Sequence, residues 1–365
     1  MAALRIFNLC RSLSDRAHFI LACFREKGDE VQYEKLHEIF AEVYVIDRDE
    51  RPLQHTTLPK QVREHASSSM RALISDLCRQ KQIDLLQIEF AHLAQFRDAA
   101  PDVPAILVEH DLTFGLYQQL AERAEHQRWL AFERHWFSNY DAVWTMSEED
   151  RCAAIGEGSP AARTFVVPNG VDVARFVPGS EPAMGSEILY VGSFRHLPNV
   201  LGFQKLRYEI MPGIWRRHPN ARLRVVAGPD HQRYCRDFQL DSRIVVHGFV
   251  EDLRPLYAQA SVVVIPLQVS AGTNIKVLEA MACQKAIVTT PVGCVGLGLR
   301  DGQEALIRDN PKEFADAVGE LLDDRSVRLQ LAARARRTVE SRFSWTAIAD
   351  RAYESYRQLA GVPQP

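Results

Sequence analysis

The chain has 365 residues, of which 46% are apolar and 25% charged, and its formal net charge is −3. This length exceeds what one compact core holds and is typical of two ordinary domains. The charge balance excludes the concentrated basic face that nucleic-acid binding requires. Seven dispersed cysteines without metal-ligand spacing, together with the lack of a membrane-length apolar run or leader pattern, predict a soluble cytoplasmic protein.

The opening segment 4–13 has apolar residues at helical spacing, namely at positions 6, 9, 10 and 13. A doubly wound sheet ordinarily begins with a central strand and a Gly-rich turn, but the first glycine here is Gly28. We therefore expect a helix at this position and a first domain that lacks its central first strand. A short strand over 4–9 is the alternative.

Short β-branched or aromatic runs then alternate with longer amphipathic segments, which predicts alternating strands and helices. The predicted strands of the first half are 19–24, 43–47, 85–90, 105–110, 142–147 and 164–167. The predicted helices lie near 60–81, 114–138 and 148–156. Trp129, Phe132 and Trp136 share one helix face, and we expect that face to pack in the core rather than on a membrane.

Turn residues are concentrated at 168–172 and 178–185, and they predict a boundary between a first domain, 1–178, and a second, 179–345. The second half has strands at 187–194, 223–228, 244–249, 262–266 and 286–290, a weaker one at 305–308, and helices near 200–217, 251–260, 274–284, 311–323 and 326–342. These strands are apolar on both faces, which is typical of a parallel sheet covered by helices. We expect the last helix, within 346–365, to pack back on the first domain.

The sequence 264–283 contains a buried strand, a loop of small residues and a helix that starts near Thr273 or Asn274. Either residue is a suitable N-cap. Free N–H groups at a helix N-terminus, with Gly272 allowing close approach, form a site for anions. Lys276 adds a positive charge in the first turn. The segment therefore predicts a diphosphate site.

Glu279 lies one turn further along, among apolar residues. A buried carboxylate is unfavourable unless a donor binds it, and a ribose diol offers two donors at a suitable distance from the phosphates. The residues alone leave open an equal alternative, in which Glu279 pairs with a cation or caps a loop.

The segment 264–283 resembles the donor-site segment of GT-B glycosyltransferases, specifically the retaining family-4 group (glycosyl transferases group 1). The resemblance extends over most of the chain through the segments 106–111, 142–148, 167–172, 189–200 and 247–257. It implies an α/β GT-B architecture with two Rossmann-like, doubly wound parallel-sheet domains facing across a cleft. The donor-binding domain would be the second one.

The resemblance also implies roles for single residues. Glu279 matches the second glutamate of the family's Glu-x7-Glu motif, which binds ribose hydroxyls. His110 matches a histidine that the family places near the donor sugar and the β-phosphate across the interdomain cleft. The donor-binding positions it implies are Gly192, Ser193, Arg195, Gly248, Phe249, Gly272, Thr273, Asn274, Lys276 and Glu279. Of these, Lys276 and Glu279, together with His110, are the expected catalytic residues.

The sequence departs from the family pattern at two places. The first glutamate of the Glu-x7-Glu motif is replaced by Ala271, and the usual Arg and Lys after the first strand of this domain fall on Ser193 and Pro198. Arg195 and Lys276 are the nearest substitutes for neutralising a diphosphate. The GT-B arrangement that the resemblance implies stabilises the leaving nucleoside diphosphate with a helix dipole and basic side chains, so we expect neither a metal ion nor another cofactor.

The function that follows is glycosyl transfer from a UDP- or GDP-sugar to an acceptor hydroxyl with retention of configuration. The expected partners are a nucleotide-sugar donor and a carbohydrate or lipid-linked acceptor; nucleic acid is not expected, and peripheral contact with the cytoplasmic face of a membrane is left open. Two alternatives remain: a GT-B nucleotide-sugar epimerase, which needs no acceptor, and an inactive GT-B protein that acts as a scaffold.

Overall fold

The computed structural model describes residues 2–48, 57–179, 185–235, 241–269 and 272–361. Its contacts divide the chain into two compact units. The first unit comprises residues 1–168 and 348–365, and the second comprises residues 169–347.

The first unit alternates strands and helices along the chain. Its elements are α1 (Ala2–Leu13), β1 (Phe19–Arg25), α2 (Tyr33–His37), β2 (Phe40–Asp47), α3 (Lys60–Glu64), α4 (Ser68–Gln80), β3 (Leu86–Glu89), β4 (Ala105–Val108), α5 (Thr113–Gln119), α6 (Arg123–Phe137), β5 (Ala142–Thr145), α7 (Glu148–Gly156) and β6 (Thr164–Val166). Short 3-10 helices occupy Ala91–Ala99 and Ala161–Arg163. Helix α15 (Trp345–Ala360) belongs to this unit from Ile348 onward.

All strand pairs of the first unit are parallel, but they form two separate sheets. β1 pairs with β2, and the other sheet has the order β3-β4-β5-β6. The predicted N-terminal helix is confirmed as α1. Within the described residues, β1 and β3 each have one hydrogen-bonded neighbour, and no further strand pairs with either of them.

Two predicted helices are interrupted. The prediction of one helix over 60–81 was wrong, because the helix is interrupted between α3 and α4. Ser67 is the N-cap of α4, and its hydroxyl accepts a hydrogen bond from the backbone N–H of Met70. The predicted helix 114–138 divides at Ala121, which has a φ of +57°. The face formed by Trp129, Phe132 and Trp136 on α6 is buried in the core, as predicted.

The second unit contains a six-stranded parallel sheet with the order β12-β11-β10-β7-β8-β9. Its strands are β7 (Glu187–Val191), β8 (Arg222–Val226), β9 (Ile244–His247), β10 (Val262–Ile265), β11 (Ala286–Thr289) and β12 (Leu306–Ile307). Its helices are α8 (Leu197–Lys205), α9 (Met211–Arg217), α10 (Gln232–Cys235), α11 (Arg254–Gln259), α12 (Ile275–Ala282), α13 (Pro311–Asp323) and α14 (Arg325–Arg342); a π-helical turn, Leu206–Ile210, joins α8 to α9, and Val292–Cys294 is 3-10.

The predicted strands of this half are confirmed, and hydrophobic clusters cover both faces of the sheet. The strands are parallel, so their carboxyl ends meet at one edge, where ligands of α/β sheets usually bind. The segments after β7, β9 and β10 that the sequence singles out all start at this edge. In the part of the chain that the structure describes, no helix is long and apolar enough to cross a bilayer.

Candidate functional site

The loop between β10 and α12 presents a helix N-terminus at the carboxyl edge of the second sheet. Asn274 is the N-cap residue, but its side chain donates to the carbonyl of Gly293 at 3.0 Å and makes no capping hydrogen bond. Gly272 has a φ of +66°, a conformation that favours glycine. Since the cap side chain bonds elsewhere, the first-turn N–H groups of α12 suit an anion.

Lys276 lies in this first turn and contacts a neutral partner. Its Nζ donates to Oδ1 of Asn199 at 2.6 Å, and Nδ2 of Asn199 donates to the carbonyl of Ser193 at 2.8 Å. Burial lowers the pKa of Lys276 to about 8, although the charge of Glu279 opposes this effect. Among the described residues no carboxylate bonds directly to the ammonium group, so its charge remains available to an anionic ligand.

Glu279 is held one turn further along α12. The hydroxyl of Tyr257 donates to its Oε2 at 3.0 Å. Burial raises the pKa of Glu279 to about 7, and the opposing contributions of Tyr257 and Lys276 are smaller. The side-chain donor that the structure gives to Glu279 is therefore the Tyr257 hydroxyl, which binds one of its two carboxylate oxygens.

The loops after β7 and β8 approach each other closely. A Cβ atom on Gly192 would lie 2.7 Å from Cγ and Oδ1 of Asn199, and a Cβ atom on Gly228, whose φ is +74°, would lie 2.7 Å from Oγ of Ser193. Glycine at position 192 therefore leaves the space in which Asn199 reaches both Ser193 and Lys276.

We expect the substitution Gly192→Ala to lower the free energy of unfolding by about 1–3 kcal/mol, because the added methyl overlaps the Asn199 side chain. Thermal unfolding measures this effect. Gly185→Ala is the matched control, since no atom lies within 4 Å of the added Cβ there. The double substitution Gly192→Ala and Asn199→Ala should recover part of the loss. Equal loss in the single and double variants would contradict the proposed overlap.

The other predicted donor-site residues of the second unit are placed as follows. Gly248 and Phe249 follow β9, and Phe249 is 73% exposed. Thr273 accepts a hydrogen bond from Nδ2 of Asn169 at 2.7 Å. Arg195 is paired with Asp230 at the surface, so its charge is already compensated, unlike that of Lys276. Ala271 lies outside the described residues.

His110 lies in the first unit, two residues after β4. Its Nε2 is 2.6 Å from Oε2 of Glu89, which ends the neighbouring strand β3. The ring of Phe90 stacks on the imidazole with 4.3 Å between centroids and 21° between planes.

The sequence did not identify four of these partners: Asn199, Tyr257, Asn169 and Glu89. Each contacts a predicted site residue that lies at least 21 positions away in the chain. Asn199 had one usable signal, because it lies in the first turn of the helix after β7.

Two family models match the chain. The description "Glycosyltransferase Family 4" matches residues 2–175, and "Glycosyl transferases group 1" matches residues 185–324. Together they cover almost all of the chain before residue 325.

Two curated relatives share 28–30% of their residues with this chain over the aligned regions. The D-inositol 3-phosphate glycosyltransferase of Corynebacterium urealyticum is 28% identical over 254 residues, which are 61% of this chain and 58% of that protein. The enzyme of the same name from Kineococcus radiotolerans is 30% identical over 236 residues, 55% of this chain and 53% of that protein. The chain thus spans about half the length of the curated relatives it matches.

Solved structures share the fold over nearly the whole length. Anabaena Alr3699/HepE in complex with UDP has a TM-score of 0.72 at 16% identity, covering 98% of this chain and 96% of that chain. Sucrose-phosphate synthase from Thermosynechococcus elongatus has a TM-score of 0.68 at 18% identity, with coverages of 95% and 100%. The two matched models and this shared fold show that the chain belongs to the group 1, family-4 glycosyltransferases of the GT-B type.

Proposed function

We propose that this glycosyltransferase moves a sugar from a UDP- or GDP-sugar to an acceptor hydroxyl with retention of configuration. The observation that carries the proposal is the pair on α12, in which Lys276 faces the neutral Asn199 and Glu279 has one tyrosine hydroxyl as its donor. A ligand with a diphosphate and a neighbouring diol matches both groups. Solved neighbours support a uridine nucleotide, since HepE structures hold UDP and UDP-glucose.

In this proposal the second unit binds the leaving group. Lys276 and the first-turn N–H groups of α12 stabilise the charge that develops on the departing diphosphate, which is the main electrostatic contribution expected of such a site. Glu279 accepts hydrogen bonds from the ribose hydroxyls. No metal ion is part of the proposal.

The acceptor is a carbohydrate or lipid-linked hydroxyl. His110 of the first unit binds a hydroxyl of the donor sugar. The curated relatives support a small polar acceptor as one case, because their names specify D-inositol 3-phosphate. Analysis of the products separates transfer from epimerisation, since an epimerase converts the donor without an acceptor.

Calorimetric titration with UDP, GDP and ADP tests the donor site directly. We expect one nucleotide to bind and the substitution Glu279→Ala to weaken that binding. Glu320→Ala is the control, because Glu320 is an exposed glutamate on α13. If no nucleotide binds, the transferase proposal fails and a scaffold role is favoured.

Phe249 provides a second prediction. An aromatic side chain that is 73% exposed at the carboxyl edge of the sheet offers a free face to a nucleotide base. We expect Phe249→Ala to weaken nucleotide binding about 5- to 100-fold, the range for loss of one stacked base, with little change in thermal unfolding. Val245→Ala, an exposed apolar position on β9, should change neither property. Unaltered affinity of Phe249→Ala would exclude stacking on this ring.

A further inference from the structure

The first unit places a carboxylate against the predicted sugar-binding histidine. β3 and β4 are adjacent parallel strands in which Glu89 pairs with Val108, so His110 follows its pairing partner by two residues. The side chains of Glu89 and His110 are 12% and 11% exposed, and Oε2 lies 2.6 Å from Nε2. At that distance the two atoms are joined by one short, directional hydrogen bond.

Phe90 restrains the same imidazole from its face. Its φ of +79° is rare for a residue with a bulky side chain. This conformation coincides with a ring that stacks on His110 at 4.3 Å. A backbone conformation of this kind persists only where the surrounding structure enforces it, and it is typical of functional sites. The imidazole is therefore fixed in its plane by Phe90 and in its rotation by Glu89.

A set of buried groups supports Glu89 from behind. Nε2 of Gln87 donates to Oε1 of Glu89 at 2.5 Å, and the hydroxyl of Tyr356 donates to Oε1 of Gln87 at 2.5 Å. Arg5 on α1 has a fully buried side chain whose Nη1 lies 3.9 Å from Oε2 of Glu89, while its Nη2 donates to the carbonyl of Val167 at 2.8 Å.

These groups keep Glu89 ionised. Burial raises the pKa of its carboxyl, but the hydrogen bond from His110 and the charge of Arg5 outweigh burial and lower the pKa overall. A carboxylate only accepts hydrogen bonds. The hydrogen between the two residues must therefore lie on Nε2 of His110, and in the neutral ring Nδ1 is then an acceptor.

We propose that Glu89, supported by Arg5, is a positioning residue that fixes the neutral form of the His110 ring as the Nε2–H tautomer, so that Nδ1 of that form is available to accept a hydrogen bond from a sugar hydroxyl. The ring's tautomer follows from contacts and charges within the first unit. The contribution to glycosyl transfer rests on the proposed function. The ligand class for Nδ1 is a hydroxyl donor rather than an anion, because an unprotonated nitrogen repels anions.

Nuclear magnetic resonance of the full chain with 15N-labelled histidine tests the tautomer. At a pH where titration shows the ring to be neutral, we expect His110 to give a downfield, slowly exchanging Nε2–H proton and an unprotonated Nδ1. In Glu89→Gln, which keeps the shape but removes the charge, that proton should move upfield and exchange faster. Glu34→Gln, on the exposed face of α2, should leave the resonance unchanged. A proton on Nδ1 in the wild-type chain would overturn the proposal.

A kinetic measurement then tests the positioning role. We expect Glu89→Gln to lower kcat about 10- to 100-fold, the range for misplacing one group that binds the reacting substrate. The dissociation constant for the nucleotide should be unchanged, because Glu89 lies outside the second unit. Arg5→Lys, which keeps a cation beside Glu89, should retain both the downfield proton and most of kcat. An unchanged kcat in Glu89→Gln would overturn the positioning role of Glu89. If His110 shows the Nε2–H tautomer but the chain binds no nucleotide, the donor-site proposal fails instead.

Discussion

The substitution Glu279→Gln should make the protein more stable and its nucleotide complex weaker. Burial raises the pKa of Glu279 to about 7, whereas a glutamate in an unfolded chain titrates near 4.3. Between these two pH values the folded state holds more protons than the unfolded state, so the free energy of unfolding falls as pH rises through that window. Well above pH 7 the full loss is present, and it amounts to at most about 4 kcal/mol.

Glutamine avoids this loss because it does not ionise, yet its carbonyl still accepts the hydrogen bond from Tyr257. We therefore expect Glu279→Gln to unfold at the same temperature as the wild-type chain near pH 4.5 and at a higher temperature above pH 7. Scanning calorimetry over this pH range measures the difference. A variant that is less stable than wild type at pH 8 would contradict the assignment of an ionised, buried Glu279.

The nucleotide should narrow the difference in melting temperature between the two proteins. Hydrogen bonds to a charged group contribute about 1.5–3 kcal/mol, so loss of the carboxylate should weaken UDP binding about 10- to 100-fold. Since a ligand raises stability in proportion to RT ln(1 + [L]/Kd), saturating UDP should raise the melting temperature of wild type more than that of Glu279→Gln. Glu320→Gln on α13 should behave as wild type in both experiments.

The elements of the fold were predictable where the sequence has a strong local period. The strands of the second unit are mainly apolar runs, and all of them were found, although each ends earlier in the structure than predicted. The helix breaks at Ser67 and Ala121 were missed because an amphipathic pattern continues across them. A hydroxyl cap or a single residue with positive φ interrupts the hydrogen bonds of a helix without changing its hydrophobic period.

The candidate site was only half predictable for a related reason. Lys276 and Glu279 lie within one local segment, so their types and spacing could be interpreted directly. The groups that hold them, Asn199 and Tyr257, come from other helices. Which side chain of a distant element faces a given residue depends on strand order and helix packing, and those are decided by tertiary contacts that no local pattern contains. The contact between Glu89 and His110 was not predictable for the same reason, because the two residues are brought together by the pairing of two parallel strands joined by a crossover.

The substitution Lys276→Met should remove both charge stabilisation and a proton uptake that accompanies nucleotide binding. Burial lowers the pKa of Lys276 to about 8, so at pH 8 about half of the molecules carry an ammonium at this position. A bound diphosphate favours the charged form and raises that pKa. Binding at pH 8 should therefore take up about half a proton per nucleotide.

Methionine matches the length of lysine without its charge, so the fold should be retained. We expect UDP affinity to fall about 10- to 100-fold, since a charge-assisted hydrogen bond to phosphate is lost. Transfer should fall more, about 100- to 1000-fold in kcat, because the charge on the leaving diphosphate is largest in the transition state.

Calorimetry at pH 8 in HEPES and in Tris measures the proton uptake, because these buffers differ in their heat of ionisation. The wild-type chain should show a buffer-dependent binding enthalpy, and Lys276→Met should show none. Lys312→Met, an exposed lysine in the first turn of α13, is the matched control and should keep the wild-type dependence. If Lys276→Met still takes up half a proton, another group titrates on binding, and the diphosphate does not contact Lys276. If the uptake vanishes while kcat is unchanged, Lys276 binds the diphosphate equally in the ground and transition states, and leaving-group stabilisation must come from the α12 N-terminus alone.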